Sequence, residues 1–391
     1  MKYNFDKVID RSGTSAEKVE GLKHIWGRTD LIPLWVADMD FATAPFVTDA
    51  IRKRCENEVL GYTGKPDSYY NAIINWVKQR YDLIVTKEVI NFVPGIVPGI
   101  GMAMNCFTQK GDKVMIQPPV YHPFAWVTTR NERTLVINPL RCENGMYRMD
   151  LDAFREQIKG CKLFILCNPH NPGGVVWTEA ELRAIADICY DEKVLVFSDE
   201  IHADLTLPPH THRPFATVSE KARMNSVTFM SPSKAFNMPG LSASHALIFN
   251  EDLRKRFRIY MDAGELDMGH VFAFLSVEAA YSHGTEWLDQ CLAYIQGNID
   301  FVDEFLKKHA PKIKAIRPEA SYLVWLDCRE LELSQKDLNE FFVDKAHLAL
   351  NDGEMFGKEG IGFMRLNVAS PRCIIEKAMK QLADAYQLYI K

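Results

Sequence analysis

Lys162-Leu163-Phe164-Ile165-Leu166-Cys167-Asn168-Pro169-His170-Asn171-Pro172-Gly173-Gly174 opens as a nearly continuous apolar run and breaks into amides, prolines and glycines. A short apolar run that stops at turn residues is the pattern of a strand buried on both faces. Three other runs end in the same manner. Residues 113–116 give way to Gln117-Pro118-Pro119-Val120-Tyr121, residues 194–198 to Asp199-Glu200-Ile201-His202, and residues 227–230 to Ser231-Pro232-Ser233-Lys234. Between two of these runs, Thr178 and Glu181 stand at capping-box spacing and start a helix that runs towards Tyr190. Short apolar runs alternating with amphipathic helices predict an α/β fold with a mostly parallel sheet. Ligands of such sheets bind beyond the carboxyl ends of the strands, so the four polar segments would face one crevice.

Outward from this centre the texture changes. Residues 286–309 form a long amphipathic stretch that ends before Pro311, and smaller α and β pieces follow. Ser370-Pro371 reads as an N-cap with proline at the first position of the last helix. A length of 391 residues suits two domains. The expected division is an N-terminal arm (1–45), a large α/β domain (46–285) and a small C-terminal α+β domain (286–391).

Composition narrows the function. Hydrophobic residues make up 47% and charged residues 25%, as in an ordinary globular protein. With 46 Lys and Arg against 51 Asp and Glu, the net charge of −5 lacks the footprint of a nucleic-acid binder. The opening MKYNFDKVIDRSG is charged throughout, and the longest apolar stretch, 93–107, is interrupted by Pro94, Gly95, Pro98 and Gly99, so neither an export signal nor a membrane span is expected. Nine scattered cysteines without a CxxC pair suit reduced thiols in a cytoplasm.

The four strand ends bring together an aromatic, an amide, a carboxylate and an amine. This set meets the needs of pyridoxal 5′-phosphate: an amine for its aldehyde, a carboxylate to keep its ring nitrogen protonated, and an aromatic ring to stack. Asp199 is the candidate carboxylate, since a negative neighbour favours the positive form of the ring nitrogen. The run Val93-Pro94-Gly95-Ile96-Val97-Pro98 reads as a strand turning into a helix, where the free N–H groups of Ile96 and Val97 could hold a phosphate. Ser231, three residues before Lys234, adds a hydroxyl.

In their order, Asn-Pro-His-Asn-Pro-Gly-Gly, Ser-Asp-Glu-Ile-His and Ser-Pro-Ser-Lys resemble fold-type I pyridoxal-phosphate enzymes, and most of all the MalY/PatB type of cystathionine β-lyase. Phe5-Asp6-Lys7-Val8-Ile9-Asp10-Arg11 and Leu34-Trp35-Val36-Ala37-Asp38-Met39-Asp40-Phe41 are similar to that subgroup, and the resemblance covers essentially the whole chain. It implies that Lys234 forms the Schiff base, that Asp199 pairs with the ring nitrogen, that Tyr121 stacks on the ring and that Asn171 bonds the ring hydroxyl. It further implies that Arg365 grips a substrate carboxylate beside Asn171 and the arm residues Val36 and Ala37. Tyr62, in Gly61-Tyr62-Thr63, resembles a tyrosine that reaches the phosphate of a neighbouring subunit, which implies a homodimer with sites at the subunit interface. Two positions depart from the aminotransferase pattern: Ser242 stands where a phosphate-binding Arg is common, and His202 where a Tyr is common. Both differences favour the lyase subgroup.

Each residue also has a plainer reading. Lys234 alone is a surface lysine, Asp199 alone a turn or N-cap residue, and the glycines of 95–101 alone punctuate a turn. Tyr121 and Tyr62 alone are packing tyrosines, and Arg365 alone a strand-surface ion-pair partner. His210-Thr211-His212 reads as a surface loop and not as a metal site, and His202 as a neighbour hydrogen-bonded to Asp199. The expected activity is α,β-elimination from cystathionine or related cysteine conjugates, giving thiol, pyruvate and ammonia. An amino-acid aminotransferase and a regulatory binding protein on the same fold are the alternatives.

Overall fold

The computed structural model describes residues 2–143 and 145–389. A seven-stranded sheet runs in the order Ile90–Val93, Ser244–Leu247, Ser226–Met230, Leu195–Asp199, Cys161–Cys167, Lys113–Ile116 and Thr134–Ile137. Ser244–Leu247 alone runs against the direction of the other six strands. The four expected strands are therefore present, adjacent and parallel, each within a residue of its expected limits.

Alternation of side chains across the pleat explains why these strands are apolar throughout. Leu163, Ile165 and Cys167 pack on one face with helices Ile96–Phe107 and Glu251–Ala263. Phe164 and Leu166 point the other way, onto helix Glu179–Asp191. That helix carries the expected capping box, Thr178 with Glu181. Helix Ile96–Phe107 lies so close to the sheet that a Cβ at Gly99 would stand 2.9 Å from Cγ2 of Val93. Gly174, at φ +68°, similarly leaves room for Pro318, which a Cβ would meet at 2.5 Å. That contact ties the loop after Cys161–Cys167 to the approach to the second sheet.

The second sheet is antiparallel, in the order Lys314–Ile316, Leu323–Asp327, Phe363–Asn367 and Asn351–Asp352. The long helix spans Thr285–His309 and buries Trp287, Leu288, Cys291, Ile295, Ile299 and Val302 at helical spacing. Among the described residues no helix is long and apolar enough to cross a membrane. The last helix, Arg372–Tyr389, begins slightly later than expected. Pro371 provides the carbonyl for its first turn, while the Ser370 hydroxyl donates to Asp40 and does not cap. A tertiary acceptor has taken the group that local pattern assigned to the helix end.

Residues 32–38 of the arm run beside this sheet. Ile32–Pro33 pairs with Leu348–Ala349, Leu34 donates to Ala349 O, and Asn367 N donates to Leu34 O. Fully buried Lys18 and half-buried Arg11 then bind Asp38 and Asp40, with Lys18 Nζ 2.8 Å from Asp40 and Arg11 Nη2 2.6 Å from Asp38. Two cations and two carboxylates neutralise one another there, so a charged cluster can sit at the foot of the arm.

Candidate active site

Register carries the sheet directly into a cavity. Asp199 ends its strand opposite Cys167 and Phe229, on the face shared with Phe197 and helix Ile96–Phe107. A cavity of about 200 Å³ opens at this edge. Lys234, Asp199, Asn171, Tyr121 and His202 all line it, together with Ala37 from the arm. Residues separated by more than a hundred positions thus meet because four strand ends meet.

At one wall the chain leaves strand Ile90–Val93 and turns into its helix at Gly95. Ile96 and Val97 line the cavity in the first turn of this helix, which has no side-chain cap; Pro98 has no N–H, and Gly99 N returns to Gly95 O at 2.9 Å. An uncapped helix start with free donors suits an anion. Ser231 does not reach this wall. Its hydroxyl donates to Ala243 O at 2.8 Å and lies 2.9 Å from Ser233 Oγ, which can donate to it, fixing the turn before Lys234 from behind. The cavity hydroxyls are those of Ser233, Ser242 and Ser244, which the sequence reading missed or left unassigned. Among the described residues no arginine lines the cavity.

Asp199 is buried and accepts one hydrogen bond, from Ile201 N at 3.1 Å. Burial pushes its carboxyl up to about 7, against the lowering effects of that bond and of Lys234. Lys234 Nζ donates to Ala37 O at 2.5 Å, and burial brings its amine down to about 8. Burial, with Lys234 and Arg365 nearby, holds the His202 imidazole neutral, down to about 3. Its buried Nδ1 is unpartnered, and no hydrogen bond joins it to Asp199, contrary to the sequence expectation.

Arg365 is only 4% exposed, so it is no strand-surface residue. Its guanidinium donates to Asn171 Oδ1 at 3.1 Å, to Asn351 Oδ1 at 2.5 Å and to Trp35 O at 3.2 Å, and rests on the Phe356 ring at 4.8 Å. Its buried Nε has no partner. Burial brings its pKa down to about 10, as expected of a cation given neutral partners only. Such a site favours an incoming carboxylate.

Val36, Tyr62 and Arg365 do not line the cavity, and Arg365 touches it through its bond to the lining residue Asn171. The Val36 carbonyl is taken by Asn367 Nδ2 at 2.7 Å, and Tyr62 is 98% exposed in a solvent-facing loop. His212 corrects the surface-loop expectation: it is buried, with Nε2 2.8 Å from Glu200 Oε2. The structure thereby adds Glu200 as a brace behind Asp199, since its other oxygen accepts from Ser198 Oγ and Phe215 N.

The donor set fits a phosphorylated pyridine aldehyde: a depressed amine, a buried carboxyl short of a cationic partner, an aromatic wall and a helix start with free N–H groups. Comparison with known proteins agrees. Cystathionine beta-lyase PatB of Bacillus subtilis is 38% identical over 98% of this chain and 99% of its own length. Protein MalY of Escherichia coli is 30% identical over 98% of each. The crystal structure of cystalysin from Treponema denticola, which contains pyridoxal 5′-phosphate, superposes with a TM-score of 0.96 at 33% identity, covering all of both chains. Residues 29–382 match the family described as aminotransferase class I and II, and the chain belongs to that family.

Proposed function

We propose that this chain is a pyridoxal-phosphate-dependent carbon–sulfur β-lyase acting on cystathionine or related cysteine conjugates. The observation that carries the cofactor is the meeting of the Lys234 amine and the Asp199 carboxyl in one cavity beside the free helix start. Full-length similarity to a protein named cystathionine beta-lyase favours elimination over amino transfer, since the cavity residues serve either. The net reaction consumes one water and converts the conjugate to thiol, pyruvate and ammonia.

When bound, the cofactor supplies an aldehyde that captures amines and a ring that takes up the electron pair left by a broken Cα–H bond. Lys234 would hold it covalently, Asp199 would keep its ring nitrogen protonated, and Tyr121 would cover its face. Asn171 Oδ1 is taken by Arg365, which leaves its NH₂ for the ring hydroxyl. Ile96 N, Val97 N and Ser233 would face the phosphate. Arg365 and Asn171 bind the substrate carboxylate and so orient the Cα–H bond towards Lys234. The lysine amine, depressed towards neutrality, takes that proton at Nζ, a step worth about 10² to 10⁴ in rate. The ammonium so formed can protonate the departing sulfur.

The same reading places the enzyme in the cytoplasm as a homodimer. Nine free cysteines support the first. A solvent-facing loop that exposes Val59, Leu60 and Tyr62 supports the second. Incubation with cystathionine, cystine and S-alkyl cysteines without a keto-acid acceptor tests the activity. Continuous release of pyruvate, thiol and ammonia is expected, whereas turnover that requires an acceptor would replace this reading with an aminotransferase.

A further inference from the structure

Tyr322 lies immediately before strand Leu323–Asp327, fully buried, and its hydroxyl donates to the carbonyl of Ala37 at 2.9 Å. That carbonyl is also the acceptor for Lys234 Nζ. One backbone oxygen therefore uses both lone pairs on two side chains, one of them the proposed base. The turn that delivers the tyrosine is under constraint. Ser321 holds φ +82°, a conformation that residues with a Cβ rarely adopt, its buried hydroxyl has no partner, and its N–H is tied to Leu205 O at 2.9 Å.

We propose that Tyr322 is a positioning residue that acts through the Ala37 carbonyl, fixing the place where the Lys234 amine rests whenever it is not joined to the cofactor. This rests on the function proposed above. With the amine bound to the cofactor, Tyr322 keeps the carbonyl paired and in place. With the amine released by substrate, the same oxygen receives one N–H of the neutral lysine and so aims its lone pair. Neighbouring strand residues hold the carbonyl from either side: Asn367 Nδ2 donates to Val36 O at 2.7 Å and to Asp38 O at 2.6 Å. The oxygen is thus a fixed point and not a loop that drifts with its ligand.

The charged and titratable groups that act on the amine are Asp38 from the arm, Asp199 and His202 from the strand end and Arg365 from the second sheet, with Tyr322 acting through the shared carbonyl. Asp38 and Asp199 favour the ammonium, whereas Arg365 and burial oppose it. By donating to Ala37 O, Tyr322 weakens the carbonyl as an acceptor for the ammonium. Loss of the hydroxyl should therefore strengthen the ammonium form and loosen the aim of the neutral one.

The test is Tyr322→Phe in the holoenzyme, which keeps the ring and removes one oxygen. The expected result is kcat lower by about tenfold, KM within about twofold, and the acid limb of the kcat profile displaced upward by about half a pH unit. In the apoprotein, labelling of Lys234 by trinitrobenzenesulfonate should show the same upward displacement. Unchanged kcat and pH profile would overturn the proposal, as would a loss in thermal stability with kcat and KM altered together and no pH displacement. Borohydride reduction of the wild type distinguishes the two claims: no cofactor trapped on Lys234 refutes the proposed function, whereas trapping with an unaltered Tyr322→Phe profile refutes only the role of Tyr322.

Discussion

Arg365 donates to Asn171 at 3.1 Å, joining the central strand of the second sheet to the loop beyond the parallel one. Among the described residues no carboxylate forms an ion pair with this buried guanidinium. Asn351 faces it because the two residues are register partners across adjacent strands, and Trp325 is its partner on the other side. A cation so held is prepared for an anion that the protein does not itself supply.

Arg365→Ala should lower kcat/KM for the amino-acid substrate by about 10² to 10³, mainly through KM, as expected when one partner of a buried charged pair is lost. The cofactor absorption band should persist. Steady-state kinetics of the reconstituted variant measure this, and wild-type KM would place the carboxylate site elsewhere.

Asp199→Asn keeps the shape of the side chain and removes its charge. Burial has already raised the carboxyl to about 7, so ionisation near neutrality depends on a positive partner such as a protonated ring nitrogen. The variant should hold the cofactor more weakly and turn over about 10² to 10³ more slowly, the scale for losing one preorganised electrostatic contact. Equal cofactor affinity and rate in the two proteins would remove Asp199 from the mechanism.

Lys234→Met should abolish turnover yet stabilise the apoprotein at pH 7. Burial lowers the amine from 10.5 to about 8, so between those values the unfolded chain binds more protons and wild-type stability rises with pH. Below pH 8 the full cost of burying the charge remains. Allowing for the partial exposure of the side chain, the variant should gain about 1 to 2 kcal/mol at pH 7, and the gain should shrink by pH 10. Urea unfolding of both apoproteins at the two pH values would reveal a constant difference if the amine were not responsible.

Glu200→Ala should destabilise the fold by about 3 to 5 kcal/mol, because it strands His212, Ser198 Oγ and Phe215 N in the interior. The loss should appear in denaturant melts of the apoprotein, independently of any ligand. A cost below about 1 kcal/mol would mean that water replaces the carboxylate.

Much of this arrangement is legible in the chain. Strands 113–116 and 162–167 announce themselves because both faces are apolar, and their polar ends follow from the direction of the strands. Asp199 ends its strand and Lys234, Asn171 and Tyr121 follow shortly after the ends of theirs, so local pattern and site coincide. The remainder depends on contacts that local pattern does not encode. Ser231 and Ser233 both lie just before Lys234, and the structure turns Ser231 to Ala243 O while Ser233 lines the cavity. Ser370 has the pattern of a cap, but Asp40, 330 residues away, captures it. His212 looks like loop because nothing near it in sequence shows that Glu200 will bury it. The roles of Trp35 O and Ala37 O were invisible, since backbone carbonyls carry no residue signature.

Those carbonyls tie the earliest part of the chain to its latest. Residues 35 to 38 are made well before their donors, Lys234, Tyr322, Arg365 and Asn367. During synthesis the segment must wait, without these donors, until residue 367 has been made. A chain stopped between residues 234 and 365 would hold Lys234 and Asp199 but lack Arg365 and the strand that binds residues 34 to 38. The segment that carries Ala37 O is therefore seated only after the strand Phe363–Asn367 exists, well after Lys234 itself has been made.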